Sequence, residues 1–169
     1  MKTVPQNYLD AASFDKTTYA IPMYRDNVGG LYYAMRTDIL EDLGLVDQAN
    51  AIASMQDIEE ILQTVKNQTD LVPMGETAAS GIIAFQNVLV SGAFKDAFFY
   101  DRLLNDYIVA PTDDPENVSS LYDLEEYKAT CVLFEKWFNE GLINKDAATS
   151  EEHAEYHIAA GTTFSTFFS

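Results

Sequence analysis

The stretch Leu31-Tyr32-Tyr33-Ala34-Met35-Arg36-Thr37-Asp38-Ile39-Leu40-Glu41-Asp42-Leu43-Gly44 decides the fold class. Leu31 to Met35 are apolar and aromatic and read as a strand. Thr37 to Leu43 suit a short helix. Gly44 stops it, because a helix end often needs the left-handed backbone that glycine adopts freely. The alternation continues outward. On the N-terminal side an irregular lead runs into Thr17-Thr18-Tyr19-Ala20-Ile21, a β-branched and aromatic strand stopped by Pro22. Asp26-Asn27-Val28-Gly29-Gly30 reads as a turn or loop. On the C-terminal side Ser54 and Asp57 form a capping-box pattern, and Ile58, Ile61, Leu62 and Val65 line one helical face.

Further along, Leu71-Val72-Pro73-Met74 is a short strand, and Pro73 argues for an edge or a strand end. Ser80 to Gly92 is apolar nearly all round, as expected of a buried helix. Tyr107-Ile108-Val109 is a strand candidate and Asp113-Asp114-Pro115 a turn. A long helix covers about Leu121 to Glu140, with Leu124, Tyr127, Cys131, Phe134 and Phe138 at helical spacing and Gly141 past its end. A last helix follows Ser150, with Glu151 and Glu152 in its first turn. After Gly161, Thr162 to Phe168 form a strand. Strands alternating with helices give an α/β class, with no internal repeat and no low-complexity linker.

The chain has 169 residues, with Lys+Arg 10 against Asp+Glu 27 and a formal net charge of -17. Its hydrophobic fraction of 47% is too high for a disordered acidic chain, so the carboxylates sit on a folded surface. Such a surface repels polyphosphates and anionic membranes, which argues against nucleic-acid binding. One cysteine, Cys131, excludes a disulfide framework and a cysteine-rich metal site, and it reads as a small buried hydrophobe. No stretch approaches the roughly 20 apolar residues of a membrane span, and Met1 to Asn7 carry no secretory signal.

The polar residues form no catalytic constellation. His153 and His157 stand one helical turn apart near Glu152, but a third ligand is lacking, so surface histidines are the better reading. The Gly29-Gly30 loop lacks the lysine and spacing of a phosphate loop. Ser91-Gly92 lacks the glycine that a nucleophile elbow places two positions before the serine. Trp137 reads as core packing. Tyr24, Arg25 and Asp26 combine a stacking ring with charged hydrogen-bonding groups in a loop, which suits a polar ligand such as a sugar or an ordinary polar loop.

The order of pieces resembles a known family. Tyr19-Ala20-Ile21-Pro22, then Gly30 through Leu45, then the capped helix Ser54-Met55-Gln56-Asp57-Ile58-Glu59-Glu60-Ile61-Leu62 resemble extracellular solute-binding proteins of ABC importers. Within these the chain is similar to the family of maltose-binding protein and Gram-positive sugar-binding lipoproteins. Phe134-Glu135-Lys136-Trp137-Phe138-Asn139-Glu140-Gly141-Leu142-Ile143-Asn144-Lys145-Asp146 resembles the family's helix ending in a Glu-Gly-Leu-Ile turn. Glu155 to Phe168 resembles the helix–Gly–strand element that follows.

The resemblance implies a lobe of the type II periplasmic-binding-protein kind, a central sheet flanked by helices. Family members have two α/β lobes joined by hinge strands and close on ligand in the cleft. They carry no cofactor, catalyse nothing, and deliver solute to a membrane permease. They are longer than this chain, which corresponds to the second lobe. Residues 1–18 are then a lead-in near the hinge and 19–169 the lobe. The implied setting is extracellular, either lipid-anchored or periplasmic.

By the same resemblance Tyr24, Arg25 and Asp26 face the cleft. Glu76 and Thr77 join them, because they follow a strand's C-terminal end, where open α/β sheets bind ligands. Tyr24 would stack on a sugar, and Arg25, Asp26 and Glu76 would hydrogen-bond its hydroxyls. Phe167 and Phe168 are expected in the core. A peptide-type solute is the alternative ligand. A carboxylate-based hydrolase is the alternative activity, and its mark would be two carboxyls about 5–10 Å apart. An isolated lobe is also expected to self-associate through its hinge-side surface.

Overall fold

The computed structural model describes residues 4–23, 32–77, 100–102, 107–111 and 113–168. Tyr24, Arg25 and Asp26, the turn at 26–30 and the helix expected over 80–92 lie outside the described residues.

The lead is not irregular. It forms a helix, α1 (Gln6–Ala11), and a hairpin of β1 (Ser13–Phe14) and β2 (Thr17–Thr18). Pro5 O accepts the Tyr8 and Leu9 N–H groups, and Gln6 donates to Asp10 one turn on, which starts a helix where the composition suggested a loop. Asp15 and Lys16 take φ of 48° and 62°, the left-handed pair that closes a two-residue hairpin. The strand expected to reach Ile21 ends at Thr18, because β1 offers only two partners.

The main sheet has the order β3-β8-β4, with β3 at Tyr32–Met35, β4 at Val72–Met74 and β8 at Thr163–Phe168. β8 is central, antiparallel to β3 and parallel to β4. Ile143 makes a parallel bridge to Met74 on the far side of β4. Pro73 fits there because the ladder uses the Val72 and Met74 N–H groups, to Thr162 O and Leu142 O, and needs none from Pro73. A second sheet joins β5 (Tyr100–Arg102), β6 (Ile108–Pro111) and β7 (Ser119–Ser120) in antiparallel register. Asp114 N–H bonds back to Pro111 O in the expected turn.

Short helices α2 (Thr37–Asp42) and α3 (Val46–Asn50) follow β3, and α4 (Met55–Gln68) precedes β4. In the α4 cap, Asp57 N–H donates to Ser54 Oγ and the Ser54 N–H to Asp57 Oδ2. Ile58, Ile61, Leu62 and Val65 are buried, as the spacing requires. A single 3-10 turn (Leu121–Asp123) leads to α5 (Glu125–Asn139). Gly44 and Gly141, past α2 and α5, both have φ of +68°, the left-handed stop their positions predict.

The buried stripe of α5 ends on Trp137, and Phe138 is half-exposed rather than in the expected face. The helix end is turned toward α4, where Glu59 accepts the Trp137 indole N–H. Cys131 is only partly buried. The last helix, α6 (Ala154–Ala159), starts later than expected, with His153 at its N-cap position and Glu155 in the first turn.

The main core packs Ile58, Ile61, Leu62, Val65, Trp137 and Leu142 with Met74, Phe164 and Phe167 of the sheet. Phe167 is in the core, as expected. Val109 and Leu121 centre a smaller cluster with Leu124 and Tyr127.

Candidate functional site

The loop Met74-Gly75-Glu76-Thr77 leaves the C-terminal end of β4, and three consecutive N–H groups pin it to two segments, β8 and the turn after α5. Met74 N–H donates to Leu142 O at 2.9 Å and Gly75 N–H to Ser165 O at 2.8 Å. Glu76 N–H donates to the Asn144 side-chain Oδ1 at 2.8 Å. Gly75 is demanded by close approach: a Cβ there would lie 2.9 Å from Thr163 Cγ2, nearer than real Cβ contacts come.

Glu76 is 7% exposed, and its Oε1 is buried with no hydrogen-bond partner among the described residues. Burial alone pushes its carboxyl from the usual 4.5 to about 8, so it holds a proton at neutral pH. Leaving such an atom unpaired costs free energy, so it is a position where a ligand group would be welcome. A protonated carboxyl both donates and accepts, which matches a hydroxyl, itself both donor and acceptor. Thr77, the next residue, is fully buried.

Tyr33 of β3 is coupled electrostatically to Glu76 when both ionise, and it was not foreseen as a site residue. Its hydroxyl lies 2.7 Å from Ser165 Oγ, and Ser165 Oγ donates to Pro73 O at 2.7 Å. Ser165 has one proton, committed to Pro73, so Tyr33 must donate to Ser165. The phenol oxygen's remaining capacity is therefore accepting. Burial raises the Tyr33 pKa most, and the Glu76 charge adds to that against the lowering by Ser165. Asn144 was missed as well. A tyrosine inside a strand and a lone polar residue after Leu142-Ile143 are weak signals, since partners 132 and 68 residues away decide their roles.

Of the five sequence-predicted residues, Glu76 and Thr77 stand together in this buried loop. Tyr24, Arg25 and Asp26 lie outside the described residues. The histidines do not converge: His157 Nε2 is 3.8 Å from Glu152, whereas His153 packs edge-on against Tyr156. No group of three or more His, Cys, Asp or Glu residues among the described residues could hold a metal ion. No helix among them is long and apolar enough to cross a membrane.

No protein-family model and no curated protein matches the chain. Solved structures do. The N-glycan transport solute binding protein (NgtS) from Streptococcus pneumoniae aligns with a TM-score of 0.69 at 19% identity, over 98% of this chain and 33% of that one. The same protein in complex with Man1GlcNAc gives 0.68 at 18%, over 98% and 34%. An extracellular solute-binding protein from Bifidobacterium longum subsp. infantis gives 0.55 at 21%, over 82% and 29%. The chain spans about a third of the length of these proteins. Its fold is the α/β lobe of type II solute-binding proteins, as the order of its sequence pieces implied.

Proposed function

We propose that this chain is a lobe of an extracellular solute-binding protein, and that the solute is a carbohydrate delivered to an ABC permease. The observation that carries the proposal is the unpaired, buried Glu76 oxygen at the C-terminal end of a sheet strand, in a fold of this type. Open α/β sheets bind ligands at that end. The neighbour solved with Man1GlcNAc supports a sugar, and so does a carboxyl suited to hydroxyls. Glu76 and Thr77 supply the polar contacts from this loop. Tyr24 supplies stacking, with Arg25 and Asp26 as further hydroxyl partners. No catalytic step is assigned to the chain.

A lobe offers only part of a cleft, so its own affinity is weak and it pairs with a second copy through its hinge-side surface. The test therefore needs a method that sees millimolar binding. Amide chemical shifts of the 169-residue chain are followed while mannose- and N-acetylglucosamine-containing oligosaccharides, and separately short peptides, are added. The expected result is saturable shifts at Gly75 to Thr77 with the sugars. Saturable shifts with peptides and none with sugars overturn the carbohydrate reading.

A further inference from the structure

We propose that Asn144 is a positioning residue, whose side-chain amide holds the Gly75–Thr77 loop so that Glu76 meets its ligand with one carboxyl oxygen unpaired. This rests on the reading of that loop as part of a solute site.

The orientation of the amide is fixed by chemistry. Asn144 Nδ2 donates to Asp146 Oδ1 at 2.7 Å, and an ionised carboxylate accepts only, so the NH₂ end must face Asp146. The oxygen end then faces the Glu76 N–H, 2.8 Å away. Asp146 thus sets the direction in which Asn144 acts. This amide bond lowers the Asp146 pKa more than any other contact, which keeps Asp146 ionised and accepting. The segment carrying Asn144 is itself anchored, because Leu142 O takes the Met74 N–H and Ile143 bridges to Met74.

The clamp acts on a backbone with little other freedom. Gly75 is held by Ser165 O on one side and crowded by Thr163 Cγ2. Glu76 is the first residue past the sheet whose N–H has no backbone acceptor, and Asn144 supplies that acceptor from 68 residues away. Without it the Glu76 peptide can turn, water reaches the carboxyl, and Oε1 is no longer held dry. A site that presents a dry carboxyl oxygen to a hydroxyl needs its supporting contact as much as the carboxyl itself.

The experiment uses the isotope-labelled 169-residue chain as wild type, Asn144→Ala, the exchanged pair Asn144→Asp/Asp146→Asn, and Glu76→Gln. Glu76 amide exchange and the carboxyl ¹³C titration are measured without ligand, and sugar-induced shifts are measured separately. In wild type the Glu76 amide is expected to be protected and the carboxyl to titrate near pH 8. Asn144→Ala is expected to lose that protection and to move the titration by at least about one pH unit toward the ordinary carboxyl value. Asn144→Asp/Asp146→Asn keeps an acceptor at 144 and a donor–acceptor pair between the two side chains, so it is expected to keep the amide protected and carries the test if the alanine variant fails to fold. An unchanged titration and amide in Asn144→Ala overturn the proposal, and so does a freely exchanging amide in a folded Asn144→Asp/Asp146→Asn. If the alanine shifts occur but Glu76→Gln binds sugar as wild type does, the functional reading of the loop falls and the clamp stands.

Discussion

The Trp137 indole nitrogen donates to Glu59 Oε2 at 2.7 Å, while Lys136 Nζ holds the other carboxylate oxygen at 2.5 Å. One glutamate on α4 thus fixes the C-terminal half of α5. Its pKa is held below the usual carboxyl range chiefly by Lys136, against the cost of burial, with the Trp137 bond adding to the lowering. Glu59→Ala leaves a fully buried indole N–H without its acceptor, and is expected to cost about 2–3 kcal/mol in urea unfolding. Glu59→Gln keeps an acceptor for Trp137 and loses only the ion pair with half-exposed Lys136, so about 1 kcal/mol is expected. A depressed folded pKa gives stability that is present above the ordinary value of 4.5 and is lost as pH falls through the lower folded value. The stability gap between wild type and Glu59→Gln should therefore shrink in acid.

Much of this frame was legible from local chemistry. The Ser54 cap, the Ile58–Val65 face and the glycine stops at 44 and 141 each depend on residues within about two helical turns, so short windows of sequence reveal them. The misreadings have non-local causes. Trp137 displaced Phe138 because its partner Glu59 lies 78 residues away. The order β3-β8-β4 puts the last strand in the middle, which no window shows. At the candidate site, Glu76 was legible as a loop residue after a strand. Tyr33 and Asn144 were not, because β8 and the turn after α5 bring their partners.

The contact between Gly75 and Thr163 is a second place where one atom decides. In Gly75→Ala the new Cβ meets Thr163 Cγ2 at 2.9 Å, and the Gly75 backbone is itself pinned to Ser165 of β8. An expected loss of about 1–3 kcal/mol follows, the usual range for overpacking. Thr163→Ser removes Cγ2 and keeps the hydroxyl, whose oxygen is 3.7 Å from the new Cβ. The double variant Gly75→Ala/Thr163→Ser should therefore recover most of the loss, giving a coupling of at least about 1 kcal/mol in a double-mutant cycle. Additive losses would mean that the strain lies elsewhere in the loop.

The N-terminal segment shows apolar groups to solvent. Phe14, Tyr19, Ile21 and Met23 are strongly exposed, Ile21 at 93%. Four large apolar side chains exposed within one short segment give a second copy of the chain apolar groups to bury. Sedimentation velocity over a wide concentration range is expected to show reversible dimers. Replacing Ile21 and Met23 by serine should weaken dimerisation by about tenfold or more, since about 1.4 kcal/mol of lost apolar burial suffices. A monomer at every concentration in wild type would refute the pairing.

Glu76 makes the sharpest pH prediction, and its sign is opposite to that of Glu59. Its folded pKa is raised to about 8 from the ordinary 4.5, so between those values the folded chain binds more protons than the unfolded one. Stability then falls as pH rises through that window, by up to about 1.4 kcal/mol per unit, and levels off above it. Glu76→Gln has no such proton and should show a flatter profile from pH 5 to 8, with its largest gain over wild type at the alkaline end. A hydroxyl ligand that satisfies Oε1 adds a linkage of its own: if it favours the protonated carboxyl, sugar affinity falls once pH passes about 8. Urea midpoints of both proteins across the window check the first statement, and sugar titrations at pH 6 and 9 check the second. Parallel stability profiles for the two proteins would place the Glu76 carboxyl in water.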